Sequence, residues 1–282
     1  MLLSEFISRC TADLAAVYPQ PEARSIVTLL LTGRLGLPSW KLVTEPGLEV
    51  SGEELSTLEK DIRRLLRNEP IQYVLGYTEF YGRRFVVSPS VLIPRPETEL
   101  LVERAIATMP RPHGRILDLC TGSGCIAWSL AYAFPQAEVV AVDVSEEALQ
   151  IAREQFLDDP SRPSVRFVRA DILNPSFIES LGQFDLVVSN PPYIAESERS
   201  QMRRNVLDYE PDLALFVPDE DPLLFYRAVA AASAATLSPD GCGIVEINEH
   251  LGPQTMECFA GFSEVELIKD LSSRDRFVSF RR

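Results

Sequence analysis

What most constrains this chain is the alternation of short apolar strands and helices that begins after Pro110. Arg115-Ile116-Leu117-Asp118-Leu119 has the length and apolar content of a buried strand, and residues 126–134 follow as a helix. Residues 138–142 and 146–156 repeat the pair; 165–168 and 184–188 add two strands. A helix over 223–237, a strand at 243–247 and a closing pair at 265–268 and 276–280 end the series. Strands separated by helices pair in parallel, because a crossover returns the chain to the same edge of the sheet. The pattern therefore predicts an α/β fold: a mostly parallel sheet with helices on both faces. Only a short turn separates the last two strands, so the last strand is expected to run antiparallel.

The first third of the chain reads differently. Leu2, Phe6 and Leu14, then Ile26, Leu29 and Leu30, then Leu55, Leu58, Ile62 and Leu65 recur at helical spacings, with Pro19, Pro21, Pro38 and Pro46 between them. From Pro70 the residues turn aromatic and β-branched (Tyr73, Tyr77, Phe80, Tyr81, Phe85, Val86), with Gly76 and Gly82 as turns. The expected organisation is a helical domain over 1–69, a β-hairpin linker over 70–92 and the sheet domain over 93–282. A length of 282 residues agrees with about two domains.

Composition narrows the function. Net charge is −14, from 27 Lys+Arg against 41 Asp+Glu, which argues against tight binding to nucleic acid backbones. The five cysteines are scattered with no Cys-x-x-Cys pair, so they read as reduced thiols of a cytoplasmic protein. Two histidines, His113 and His250, leave little from which to build a metal centre or a His-dependent triad, and no metal is assigned. No segment reads as a targeting signal or as a membrane span.

Between the first strand and its helix lies Cys120-Thr121-Gly122-Ser123-Gly124. Glycines there let backbone approach a ligand closely, and a helix N-terminus behind them favours polar ligand groups. Asp143 closes the second strand about twenty residues on, where a carboxylate accepts hydrogen bonds from a ribose diol. Gly122-x-Gly124-x-x-Ala127 also fits a dinucleotide fingerprint, so the turn alone leaves NAD and S-adenosylmethionine open. Asp118 tilts the choice: a carboxylate inside the first strand would hold the cationic amino-acid end of S-adenosylmethionine, directly or through water, and repel a pyrophosphate. Its alternative role is to cap the helix. Asp171, after the third strand, is placed to accept from an adenine amino group, with Ile172 packing on the ring.

After the fourth strand comes Asn190-Pro191-Pro192-Tyr193. Two prolines fix φ and remove two N–H donors, which makes a stiff loop whose acceptors face outward. The Asn190 side-chain carbonyl and the Pro191 backbone carbonyl would converge on one NH₂ group, and Tyr193 would form an aromatic wall against a planar target. Such a site suits methyl transfer to a planar nitrogen, whose delocalised lone pair must be oriented and made more available as charge develops.

These residues, together with residues 70–76 (Pro70-Ile71-Gln72-Tyr73-Val74-Leu75-Gly76), Phe80-Tyr81-Gly82 and Ile93-Pro94-Arg95-Pro96-Glu97-Thr98-Glu99, resemble the release-factor glutamine N5-methyltransferases, the PrmC/HemK family. The resemblance covers most of the chain. It implies a class I S-adenosylmethionine-dependent methyltransferase, Rossmann-like, with a small N-terminal helical domain. Its reaction would move a methyl group from S-adenosylmethionine to the Gln side chain of the Gly-Gly-Gln motif in class I peptide chain release factors. Cys120, Thr121, Gly122, Ser123, Gly124, Asp118, Asp143, Val144, Asp171, Ile172 and Asn190 would contact the cofactor. Asn190, Pro191, Pro192 and Tyr193 would form the glutamine site, with Arg95 and Glu97 organising a proline-flanked strut over its mouth. The family usually has Gly where this chain has Cys120, and often an aromatic residue near Ile172. An adenine-N6 DNA methyltransferase shares the NH₂ chemistry but is disfavoured by the acidic charge. A dehydrogenase would leave the Asn190 loop without a role, and a non-catalytic α/β binding module is the remaining alternative.

Overall fold

The computed structural model describes residues 1–282, apart from the side chains of Pro175 and Glu179. The chain forms two compact units, Met1–Tyr77 with Met202–Tyr209, and Thr78–Gln201 with Glu210–Arg282.

The first unit carries α1 (Leu3–Leu14), α2 (Gln20–Leu35), α3 (Lys41–Thr44), α4 (Gly52–Leu65) and α5 (Ile71–Leu75). Local chemistry sets the ends. Ser51 caps α4 in a capping box with Glu54, each satisfying the other's backbone N–H, and Gly36 ends α2 in the left-handed region. The apolar faces meet in a core around Phe6, Leu14, Val27, Leu30, Leu58 and Leu65. Buried Asp61 pairs with Arg34 at 2.7 Å, and Arg34 donates onward to the Val74 carbonyl at 2.6 Å, which ties α2, α4 and α5 together. Met202–Tyr209 belongs to this unit despite its place in the chain: Arg203 pairs with Glu22 at 3.1 Å, and the Tyr209 hydroxyl donates to the Arg67 carbonyl at 2.9 Å. The expected boundary at 69/70 differs, because residues after Pro70 continue the helical unit as α5 instead of opening a linker.

A hairpin follows, β1 (Tyr77–Phe80) and β2 (Arg83–Val86). Its turn places Tyr81 and Gly82 at φ +47° and +72°, the pair of left-handed residues that a tight hairpin of matching twist requires. The second unit then runs through α6 (Pro96–Thr108), β3 (Arg115–Leu119), α7 (Cys125–Ala133), β4 (Glu138–Asp143), α8 (Glu146–Glu154), β5 (Val165–Arg169), β6 (Phe184–Ser189) and the short β7 (Ile194–Ala195). After α9 (Arg204–Leu207), which lies in the first unit, come β8 (Phe216–Val217), α10 (Leu224–Thr236), β9 (Leu237–Glu246), α11 (Gly252–Cys258), β10 (Ser263–Lys269) and β11 (Asp275–Arg281).

Seven strands form one sheet in the order β10-β11-β9-β6-β3-β4-β5. From β9 to β5 neighbours pair in parallel, and β11 is antiparallel to both β9 and β10. Side chains alternate along the central strands: Ile116, Val139, Leu186 and Ile244 pack toward α6 and α7, whereas Leu117, Val140, Val187 and Val245 pack toward α10. Burial on both faces explains why these strands read as continuous apolar runs. Besides α5 and α9, two further helices depart from the sequence expectation. α6 begins at Pro96, inside the segment read as a strut, and α11 is too short to give a periodic signal. No helix among the described residues is long and apolar enough to cross a membrane.

Candidate active site

Strand order reverses on either side of β3, and a crevice at the carboxyl ends of the strands is the expected result. A cavity of about 220 Å³ lies there. Its wall takes Cys120, Thr121, Gly122 and Ser123 from the turn after β3, and Asp143 and Val144 from the end of β4. Asp171 and Ile172 follow β5, Asn190 and Pro192 follow β6, Pro94 and Arg95 lead into α6, and Thr98 sits on its first turn. Every one of these residues belongs to the second unit.

The glycine turn is shaped by three left-handed residues, Cys120 at φ +60°, Gly122 at +53° and Gly124 at +79°. The space beside the Gly122 Cα is open, while a Cβ at Gly124 would stand 3.0 Å from Trp128 and 3.1 Å from Ala152. Gly122 thus keeps the cavity clear, and Gly124 lets α7 pack. Asp143 holds the turn in place: one carboxylate oxygen accepts from the Gly122 N–H at 2.8 Å and the other from the Ser145 N–H at 2.9 Å. Burial pushes its carboxyl up, against the pull of those two backbone donors.

Asp118 departs from its expected place. It is fully buried and does not line the cavity; one oxygen accepts from the Thr121 hydroxyl at 2.6 Å and from the Ala127 N–H at 3.2 Å. Ala127 is the third residue of α7, so this carboxylate caps the helix from the strand beneath it. Its side chain alternates onto the sheet face that α7 covers, away from the cavity wall. Burial raises its carboxyl to about 7.

In the diproline loop, half-buried Asn190 faces the cavity, and its side-chain NH₂ donates to the Thr98 hydroxyl at 3.2 Å. Among the described residues no protein donor reaches its Oδ1. Pro191, expected to supply the second acceptor, is buried and is not among the residues that line the cavity. Tyr193 is not an aromatic wall either: its ring packs into the core on the α10 side, and its hydroxyl donates to Glu246 at 3.2 Å. Its backbone carbonyl accepts from Asn248 at 3.2 Å, which anchors the end of the loop.

Arg95 lines the cavity and pairs with Glu210 at 2.7 Å; the other Glu210 oxygen accepts from the Ile93 N–H at 3.1 Å. Glu97, its expected companion, is exposed on the first turn of α6 and off the cavity. Sequence reading missed Glu210 and Glu246, both buried. Glu246 did leave a signal, as a lone carboxylate in the apolar run Gly243-Ile244-Val245-Glu246-Ile247. Glu210 left none, because its partners lie 115 and 117 residues away.

The residues fit a nucleoside carrying an amino-acid tail. An open glycine turn supplies backbone at close approach, Asp143 and Asp171 supply acceptors, and Val144, Ile172 and Leu173 supply apolar surface for a flat ring. The family described as PrmC N-terminal domain matches residues 5–76, and Methyltransferase small domain matches residues 96–208. The release factor glutamine methyltransferase of Bacteroides thetaiotaomicron is 42% identical over 96% of both chains. The chain belongs to the release factor glutamine methyltransferase family. A second member, from Flavobacterium psychrophilum, is 39% identical over 99% of this chain and 98% of its own. A methyltransferase structure from Pyrococcus furiosus, 20% identical, covers 79% of this chain and 98% of its own at a TM-score of 0.52, which places the fold among Rossmann-like methyltransferases.

Proposed function

We propose that this chain methylates the side-chain amide nitrogen, N5, of the glutamine in the Gly-Gly-Gln motif of class I peptide chain release factors, with S-adenosylmethionine as donor and S-adenosylhomocysteine as product. The observation that carries the reading is the shared cavity: the Asn190 amide and the glycine turn with Asp143 lie on one wall system. S-adenosylmethionine supplies an electrophilic methyl carbon on a sulfonium sulfur. The chain's own residues do the rest. Asp143, Asp171 and the backbone at Gly122 hold the nucleoside, and Ile172 and Val144 exclude water from its ring.

Asn190 Oδ1 accepts an N–H of the substrate carboxamide. That bond orients a poor nucleophile and strengthens as the nitrogen gains positive character, so it favours the transition state over the bound substrate. The nitrogen becomes acidic once methylated and loses its proton to water, so no strong base is required. Arg95, fixed by Glu210, and Pro94 border the entrance for the glutamine side chain.

The helical first unit is the docking element for the release factor, because one glutamine among many is selected through a protein surface larger than the cavity. The unpaired cysteines and the site of translation termination support a cytoplasmic location, and the acidic charge supports a protein partner over nucleic acid.

Incubation with radiolabelled S-adenosylmethionine tests the activity. Label is expected on the Gly-Gly-Gln glutamine of a purified release factor. Label on duplex DNA with none on the release factor would establish the adenine reading instead.

A further inference from the structure

Two residues outside the reading above meet its central group. Thr98, on the first turn of α6, and Glu246, at the end of β9, are 2% and 1% exposed. The Thr98 hydroxyl donates to Glu246 Oε2 at 2.8 Å and accepts from the Asn190 NH₂ at 3.2 Å; the Tyr193 hydroxyl donates to Glu246 Oε1 at 3.2 Å. We propose that Thr98 and Glu246 are positioning residues: a one-way hydrogen-bond relay from Asn190 to Thr98 to Glu246 turns the Asn190 amide so that its carbonyl oxygen, and not its NH₂, faces the cavity. The inference rests on the reading of Asn190 as acceptor for the substrate carboxamide.

The direction follows from counting protons. A threonine hydroxyl has one hydrogen, and a carboxylate has none to give. With Glu246 ionised, the Thr98 proton is committed to it, and the Thr98 oxygen is then only an acceptor toward Asn190. The Asn190 NH₂ must turn to Thr98, leaving Oδ1 for the substrate. With Glu246 protonated, the Thr98 proton is released, and the amide is free to turn its carbonyl inward and show a donor where an acceptor is needed. Donation into an anionic network also polarises the Asn190 carbonyl.

The groups facing Glu246 come from several elements. Tyr193 and Thr98 bond to it, Arg276 on β11 favours its charge, and Glu97 on α6 opposes it. Cys125 on α7 and Tyr226 on α10 also feel its charge. Burial outweighs the favourable partners and holds its carboxyl at about 7. Turnover is therefore expected to rise with pH through that region.

The test uses the full chain with release factor and radiolabelled S-adenosylmethionine. S-adenosylhomocysteine affinity by calorimetry serves as the check on an intact site. Thr98→Val is expected to lower kcat about tenfold or more while S-adenosylhomocysteine affinity stays within about threefold, and Thr98→Ser to restore most of the loss. Glu246→Gln is expected to abolish the rise of kcat with pH. Near-normal kcat in Thr98→Val beside an inactive Asn190→Ala would overturn the relay alone. Near-normal kcat in Asn190→Ala would overturn the acceptor reading itself. Should Thr98→Val fail to bind S-adenosylhomocysteine, the pH profile decides: a Glu246→Gln enzyme that keeps the rise overturns the relay.

Discussion

Asp118, just before the glycine turn, is a buried carboxylate only half satisfied by its neighbours. One of its oxygens is fully used by Thr121 and Ala127, while the other is buried with no hydrogen-bond partner. Its carboxyl lies near 7 when folded and near 3.8 when free, so between those values the native state holds a proton that the unfolded chain has lost. Stability from this group is thus complete below about pH 4 and declines as pH rises through 7, a total on the order of 4 kcal/mol. Glu246 and Asp143, both raised by burial, act in the same direction. Asp118→Asn keeps the shape and removes the titration. Urea denaturation should find this variant better placed relative to the native enzyme at pH 8 than at pH 5, and an equal difference at the two pH values would refute the assignment. Sequence could locate Asp118 but not its task. A carboxylate before a glycine turn reads alike whether it grips a ligand or caps the next helix, and only the side-chain direction on the strand separates the two.

At the scale of elements, the turn between β3 and α7 puts two glycines to different uses. Gly122→Ala adds a methyl to open space on the cavity side, with a backbone penalty of about 1–2 kcal/mol for a left-handed alanine. Gly124→Ala meets the same penalty and drives a methyl into Trp128 and Ala152. The first variant is expected to lose affinity for S-adenosylhomocysteine while unfolding only slightly earlier. The second should unfold at distinctly lower denaturant, by about 2 kcal/mol or more. Calorimetry and urea titration on both would contradict this division if the order were reversed. Cys120 meets the left-handed requirement without a glycine, so strain there is retained in the native enzyme.

The elements themselves were legible where pattern was long and local. Strands buried on both faces announce themselves as apolar runs, and β3, β4, β5, β6 and β11 lie within a residue or two of the expected places. β9 starts earlier than its apolar run, at Leu237, because Ser238, Pro239 and Asp240 extend it beyond the buried part. α6 was obscured by its own prolines: Pro96 occupies the first turn, where a missing N–H costs nothing, yet in sequence it reads as a break. The inward turn of Tyr193 was hidden as well, since its partners Glu246 and Asn248 lie more than fifty residues along the chain.

Over the whole molecule, recognition and chemistry are expected to separate. The cavity draws on the second unit alone, so a chain lacking residues 1–69 should still bind S-adenosylhomocysteine if the sheet unit remains folded. Its methylation of release factor should fall by at least about a hundredfold, by loss of the docking surface. Normal efficiency in the truncated chain would dismiss the first unit as the docking element. The expected three-part division, 1–69, 70–92 and 93–282, followed sequence order and had no means of seeing the return at Met202–Tyr209. Its links to the first unit are long-range, among them an ion pair and a hydroxyl bond across 181 and 142 residues.

That return has a bearing on how such enzymes are recombined. A chimera made by a single crossover near residue 77 would graft a foreign helical unit onto a chain whose residues 202–209 still carry Arg203 and Tyr209 shaped for the original Glu22 and Arg67. Exchanging the helical unit between relatives therefore calls for transplanting two stretches of gene together, and hybrids that move only the amino-terminal one leave Arg203 and Tyr209 facing residues to which they were never matched.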